Sequence, residues 1–364
     1  MDYLAQEIRR ILVIAWGILG DSVCKLPAIA ALRARFPEAQ MVVWADAGMK
    51  EVFEGHPFID TLWLISGRGR GLRKSLNTLG WIAPLWRQKF DLVVDLYASR
   101  HTARLVRLSC ARYRTGRNRP HSARAYNILP PPEHEIFATR PLPEIFSTVA
   151  RHLGADVRRS YLPLSLSSED YHRAQEGLQS VGWQPGCPLV LINPATSNRA
   201  KTWPSERFGT VGRDLSEAGA TVVVLQNPGL ETLQAEVVAA SRGRVRAISP
   251  LSIKAVCAAL EMADLLVTGD TGIMHLGMAH HTPAVIIAGP THPITFHAVP
   301  ELQTVCFHPD SCHERDPALD CRLQRTCSHI RCIRSVGVEE VLQACLKRLQ
   351  LPVAETGQRG SAPG

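Results

Sequence analysis

The run Ala263-Asp264-Leu265-Leu266-Val267-Thr268-Gly269-Asp270-Thr271-Gly272-Ile273-Met274-His275-Leu276-Gly277 constrains the fold of this chain more than any other stretch. An apolar strand, Leu265 to Val267, meets Gly-Asp-Thr-Gly, and a helical pattern carried by Met274, Leu276 and Ala279 follows. Strand, tight turn and helix start are the unit of a parallel α/β sheet, in which ligands sit beyond the carboxyl ends of the strands. Free N–H groups at the helix start suit an anion, phosphate above all. Gly269 and Gly272 let the backbone approach a ligand, Thr271 offers a hydroxyl and an N–H, and Asp270 can accept sugar hydroxyls or brace the turn. Capping of the next helix is the plainer role for Asp270 and Thr271.

Two more strand ends of this kind flank it. The buried run Pro188 to Pro194 ends at Asn193 and opens into a loop holding Thr196 and Lys201 before a helix from Ser205 to Ala218. The run Thr282 to Ala288 ends at Gly289-Pro290-Thr291. Lys201 is a compact point charge suited to phosphate. Three polar or glycine-rich loops on one edge of one sheet favour a ligand crevice over three separate caps.

The first half repeats the plan. Strands are expected over Ile11 to Ala15, Gln40 to Ala45, Thr61 to Ile65 and Asp91 to Leu96, with a first helix from Val23 to Arg35 that holds Pro27 near its first turn. The loop Trp16 to Ser22 contains Gly17 and Gly20 but no G-x-G-x-x-G frame, which disfavours a dinucleotide enzyme. A basic loop, Ser66 to Lys74, carries Arg68 and Arg70 and either closes over an anionic acceptor or is a solvated linker. Eight arginines lie between Arg100 and Arg124 with no acidic residue among them, and Arg100, Arg104 and Arg107 share one helical face. Few aromatics are interleaved, so single-stranded nucleic acid is not the expected partner.

With 364 residues, the chain divides into about two domains. We expect the first over residues 1–165, the second over 166–350 and a disordered Gly/Pro/Ser-rich tail over 351–364. The overall charge of +8 is uneven: residues 1–165 carry +10 and the remainder −2, so the first half is the one suited to an anionic partner. No stretch of about 18 apolar residues predicts a membrane span, and no signal peptide is apparent. Cytoplasmic residence with mostly reduced thiols is the expectation. Cys306, Cys312, Cys321, Cys327 and Cys332 lack the paired C-x₂₋₄-C spacing of zinc knuckles, so no metal is expected there. No cofactor is implied.

Three segments taken together resemble glycosyltransferase family 9, the heptosyltransferases. They are Ile11 to Leu32, with Leu19-Gly20-Asp21-Ser22 at its turn; Lys201-Thr202-Trp203-Pro204-Ser205-Glu206-Arg207-Phe208; and Gly269 to Leu276. Gly289-Pro290-Thr291 and the cysteine-rich segment add to the likeness. The resemblance implies a GT-B fold, two Rossmann-like doubly wound domains facing across a cleft, with the acceptor on the first and a nucleotide sugar on the second. It implies inverting, metal-independent transfer of a sugar, heptose from ADP-heptose or the sugar of a related donor, to a lipopolysaccharide core or related anionic glycolipid, at the inner face of the inner membrane. Asp21 matches the general base. Asn193, Thr196, Lys201, Asp270, Thr271, Gly272, His275, Gly289 and Thr291 fall to the donor, and Gly20, Arg68, Arg70, Arg100 and Arg104 to the acceptor. The sequence contains no Asp-x-Asp pair of the kind metal-dependent transferases use. Two positions depart from the family pattern: Ala15-Trp16 stand where a basic residue is common, and His280-His281 where a Leu-Gly pair is usual. A sugar-nucleotide epimerase of the same architecture, or a non-catalytic protein binding anionic surfaces, is the alternative reading.

Overall fold

The computed structural model describes residues 7–66, 72–137, 139–226, 229–308, 321 and 326–351. Arg68 and Arg70, and residues 352–364 of the expected tail, lie outside the described residues.

Eleven strands form two sheets among the described residues. The first sheet comprises β1 (Arg10–Ile14), β2 (Gln40–Asp46), β3 (Thr61–Ile65), β4 (Leu92–Asp95) and β5 (Tyr113–Gly116), in the order β3-β2-β1-β4-β5. The second comprises β6 (Leu189–Asn193), β7 (Thr221–Val224), β8 (Arg246–Ala247), β9 (Leu265–Gly269), β10 (Ala284–Ile287) and β11 (Gln303–Cys306), in the order β11-β10-β9-β6-β7-β8. Every pairing is parallel. Strands buried on both faces must be apolar throughout, which is why Ile11-Leu12-Val13-Ile14 and Leu189-Val190-Leu191-Ile192 read as unbroken hydrophobic runs. Both sheets are doubly wound, and each reverses its winding at one place: between β1 and β4, where Ile14 pairs with Asp95, and between β6 and β9, where Asn193 pairs with Thr268. Crevices open at such reversals.

Alternate residues along the strands serve different cores. Ile11 and Val13 with Leu191 and Leu266 join a single cluster that passes from the first sheet to the second. Their neighbours Leu12 and Ile14 face a separate cluster with Trp16 and Trp44, and Val190 and Ile192 face a third with Trp203 and Phe208. The helix Leu19–Arg35 lies in the shared layer, packed on helices Leu142–His152 and Gly272–Ala279. A helix covered on nearly all sides should be apolar all round, and from Val23 to Leu32 it is, apart from Lys25. It begins four residues earlier than expected, so Pro27 lies inside it rather than in its first turn, and Gly20 and Asp21 belong to its first turn instead of the loop.

Candidate functional site

The two β-to-helix turns at the winding reversals meet head to head. On the first sheet, β1 runs into Trp16-Gly17-Ile18 and the helix opens with Leu19-Gly20-Asp21. On the second, β9 runs into Asp270-Thr271 and the helix opens with Gly272. A Cβ on Gly272 would stand 2.8 Å from Leu19 Cβ, so the two helix starts touch only because the residue there is glycine. Beside this contact lies a cleft of about 370 Å³ lined by Gly20 and Asp21 from the first half and by Asn193, Thr196, Lys201, Asp270, Thr271, Gly272, His275 and Thr291 from the second. The structure thus brings most of the expected donor residues, the expected base and Gly20 to one opening.

The wall from the second half is cross-braced. Lys201 Nζ donates to Asp270 Oδ2 at 2.6 Å, with both side chains mostly buried. Burial alone would raise the Asp270 carboxyl, but the Lys201 ammonium and its hydrogen bond hold it below the usual carboxylate range. Asn193 Nδ2 reaches Thr268 Oγ1 at 3.0 Å and Thr271 Oγ1 at 3.2 Å, tying the ends of β6 and β9 together. Thr271 also caps its helix, accepting from the Met274 N–H at 3.4 Å. Thr196 and Thr202 hydroxyls lie 2.7 Å apart and shape the loop that carries Lys201.

His275 is buried at the back of the cleft. Burial pushes its imidazole below the ordinary value against the pull of Asp270 and Asp21. The Tyr161 hydroxyl, itself kept neutral by burial, is hydrogen-bonded to Nδ1 at 2.8 Å, and Cys24 Sγ lies 3.3 Å from the same nitrogen. His275 is therefore both a packed histidine and a cleft wall.

A second cavity of about 400 Å³ adjoins the first through Asp21, Phe137 and Leu142, and its other walls are Tyr97, Ser99, Arg100, Arg117, Arg119 and His121. The turn that carries Tyr97 and Ser99 into its wall is fixed by the buried Asp95 at the end of β4. Asp95 accepts from the Tyr97 and Ala98 N–H groups and the Tyr126 hydroxyl, and burial raises its carboxyl. Ser99 then caps the helix Arg100–Leu108. Arg117 and Arg119 both clamp Glu133, Arg117 through two bonds of 2.7 and 2.8 Å. Although burial works against ionisation of Glu133, the two guanidiniums hold its carboxyl low.

Some expected residues lie elsewhere. Gly289 does not line the cleft; it packs under Ile333, whose Cβ would be 2.9 Å from an added Cβ, because the helix Arg331–Arg334 covers that turn. Arg104 lines neither cavity and is exposed, because the helix places it one turn beyond the cavity mouth that Arg100 reaches. Arg117 and Arg119 of the arginine run help to build the site, as do Lys25, Tyr161, Tyr97 and His121, which no motif singles out. For Lys25 a signal exists, one charge inside an otherwise apolar helix. Trp16, the departure from the family pattern, packs edge-on against Trp44 at 5.0 Å. Among the described residues no group of three or more His, Cys, Asp or Glu converges as a metal site would need, while Cys312 and His313 lie outside them.

Comparison with known proteins agrees with this geometry. The profile of glycosyltransferase family 9 (heptosyltransferase) matches residues 82–324. Lipopolysaccharide heptosyltransferase 1 of Pseudomonas aeruginosa is 25% identical over 297 residues, covering 78% of this chain and 79% of that protein. A glycosyl transferase family 9 structure from Veillonella parvula has a TM-score of 0.76 at 24% identity, over 94% of this chain and 97% of that one. The E. coli heptosyltransferase WaaC, solved with ADP-2-deoxy-2-fluoro heptose, has a TM-score of 0.66 at 19% identity, over 93% and 99%. The two facing Rossmann-like sheets are those of the GT-B fold.

Proposed function

Since the chain belongs to glycosyltransferase family 9, we propose that it moves heptose from ADP-heptose to a hydroxyl of an anionic lipopolysaccharide-core acceptor, with inversion. The observation that carries this reading is the position of Asp21. It lines both cavities, one walled by the Lys201, Thr271 and Gly272 set and the other by arginines. The WaaC structure with a fluorinated ADP-heptose supports the choice of donor.

In this reading the diphosphate lies against Lys201 and the start of the helix Gly272–Ala279, where an ammonium and free N–H groups offset the charge that builds on the leaving group. Asp270, at 2.6 Å, keeps the Lys201 ammonium in place for that task. The acceptor enters through the arginine-walled cavity, and its anionic groups meet Arg100 and Arg119. Its hydroxyl oxygen attacks the anomeric carbon as the carbon–oxygen bond to the diphosphate breaks, and the hydroxyl proton passes to Asp21. One displacement inverts the anomeric centre and releases ADP. A glycolipid acceptor requires contact with a membrane face, and the basic first half suits such contact. No helix of the described residues is long and apolar enough to cross a membrane, so the contact proposed is peripheral.

The test mixes the full chain with ADP-heptose or other nucleotide sugars and truncated lipopolysaccharide acceptors in EDTA, following nucleoside diphosphate release and acceptor mass. Acceptor-dependent release is expected, falling by roughly 10²- to 10⁴-fold in Asp21→Ala while ADP binding persists. Donor turnover without a heavier acceptor would favour an epimerase.

A further inference from the structure

Lys25 is a charged side chain with no solvent exposure, at a position where a well-packed apolar residue would avoid the penalty of desolvating a charge. Its ammonium donates to the Trp16 carbonyl at 2.6 Å and sits 4.9 Å from the centre of the Phe146 ring, against which Arg117 also packs at 4.8 Å. The titratable and charged groups around it are Asp21 and Cys24 on its own helix, Asp46 at the end of β2, and Arg117 after β5. Asp46 is engaged by the Gly17 N–H at 2.7 Å. Asp21 lies one helical turn ahead, on the same face.

Gly17 is the gap between them. An added Cβ there would stand 2.9 Å from Lys25 Nζ and 3.2 Å from Asp21 Oδ2, and the φ of +150° disfavours a side chain in any case. Both charged atoms approach one point, so they lie within about 6 Å of each other, close enough for the half-buried carboxylate to favour the fully buried ammonium.

We propose that Lys25 is a positioning residue for Asp21: a buried cation, set behind the carboxylate and facing it across Gly17, that fixes the electrostatic field in which Asp21 works. The role rests on reading Asp21 as the base. Arg117, the other cation near Phe146, also acts on Asp21 but is held by two bonds to Glu133, whereas Lys25 is the cation that faces Asp21 through the Gly17 gap. Burial lowers the Lys25 ammonium to about 8 against the support of Asp21, so the cation persists at neutral pH and is lost on the alkaline side.

The deciding experiment titrates lysine-¹³Cε-labelled full chain by NMR, with the Lys25 signal assigned by its absence in Lys25→Met. We expect a midpoint near 8 that falls measurably in Asp21→Asn, because the anion supporting the ammonium is gone. An unchanged midpoint overturns the coupling, whatever Asp21→Asn does to turnover. Kinetics separate the two readings. Lys25→Met is expected to unfold at a higher denaturant concentration than the parent yet lose about tenfold or more in kcat, with the donor KM unchanged. Parental kcat in Lys25→Met across pH 6 to 9 overturns the positioning role, and so does a lower unfolding midpoint that accounts for the loss. Parental kcat in Asp21→Asn instead overturns the base reading itself. If Lys25→Met does not fold, the Asp21→Asn titration decides alone, with the Lys25 signal assigned as the lysine resonance that moves near pH 8.

Discussion

Gly20 and His275, from the two halves of the chain, are in contact so close that a single methyl group does not fit between them: a Cβ on Gly20 would stand 2.8 Å from His275 Cδ2. Because Gly20 is helical, alanine suits its backbone, and any loss in Gly20→Ala reports the contact alone. We expect about 1–3 kcal/mol of destabilisation by denaturant titration, the range for overpacking. Turnover should fall as well, since the displaced His275 borders the cleft. A variant as stable and active as the parent would show that the two helix starts are free to part.

Lys201→Met keeps the length of the side chain and removes its charge. Loss of a charge-assisted bond to diphosphate is worth about 1.5–3 kcal/mol, so ADP should bind roughly 10- to 100-fold more weakly by calorimetry. The acid stability should change too. A depressed Asp270 carboxyl adds stability above its unfolded pKa, and this is lost as pH falls through the folded value. Without Lys201, burial acts unopposed by that ammonium and the variant should begin to lose Asp270's ionisation at higher pH than the parent. A double-mutant cycle with Asp270→Asn measures the coupling.

His280 joins the segment between the halves to the second sheet. Its Nε2 accepts from the Leu164 N–H at 3.1 Å and its Nδ1 donates to Glu261 at 2.7 Å. Protonation would set a donor against the Leu164 donor. Burial holds His280, like His275 and His56, below the ordinary imidazole value. The unfolded chain therefore takes up protons first, and stability should fall as pH drops below about 6.5. In His280→Leu the Leu164 N–H is left without its partner, at a cost of about 1–3 kcal/mol at neutral pH, and the acid slope becomes shallower.

Lys25 has the same sign of linkage in a more alkaline window. Its folded pKa lies below its unfolded one, so the cost of burying the ammonium is full below about 8 and is relieved as pH rises toward the unfolded value. Lys25→Met should be more stable than the parent by about 1–4 kcal/mol at pH 7, the range for replacing buried ionic groups with apolar ones. That advantage, followed by denaturant titration, should shrink on moving to pH 10.

Much of this architecture was legible in the sequence because parallel strands buried on both faces cannot hide: the runs at Ile11, Gln40, Leu189, Leu265 and Ala284 all became strands. The short edge strands Tyr113–Gly116, Arg246–Ala247 and Gln303–Cys306 were not anticipated, because an edge strand with polar residues lacks that signature. The cleft wall of the second half was legible for the same reason, as its residues follow directly on strand ends. The arginine run was harder to read. Composition showed an excess of charge but not that Glu133, beyond the run, satisfies Arg117 and Arg119, nor that Arg104 and Arg107 are exposed. Tyr161 became a site residue only through its contact with His275, 114 residues away, which periodicity does not encode, whereas Lys25 stands out in the sequence as one charge inside an otherwise apolar helix.

The core cluster shared by the two sheets bears on how the molecule comes apart. Val13 and Ile29 from the first half belong to the same packed set as Leu266 and Met274 from the second, so neither sheet has a complete inner face without the other. Inter-domain motion is the default only where the joining surface is small and polar. Here melting should be a single cooperative event, followed alike by the tryptophans Trp44 of the first sheet and Trp203 of the second. The halves, expressed separately, should each expose the apolar layer and associate with one another or precipitate, rather than persist as independent domains.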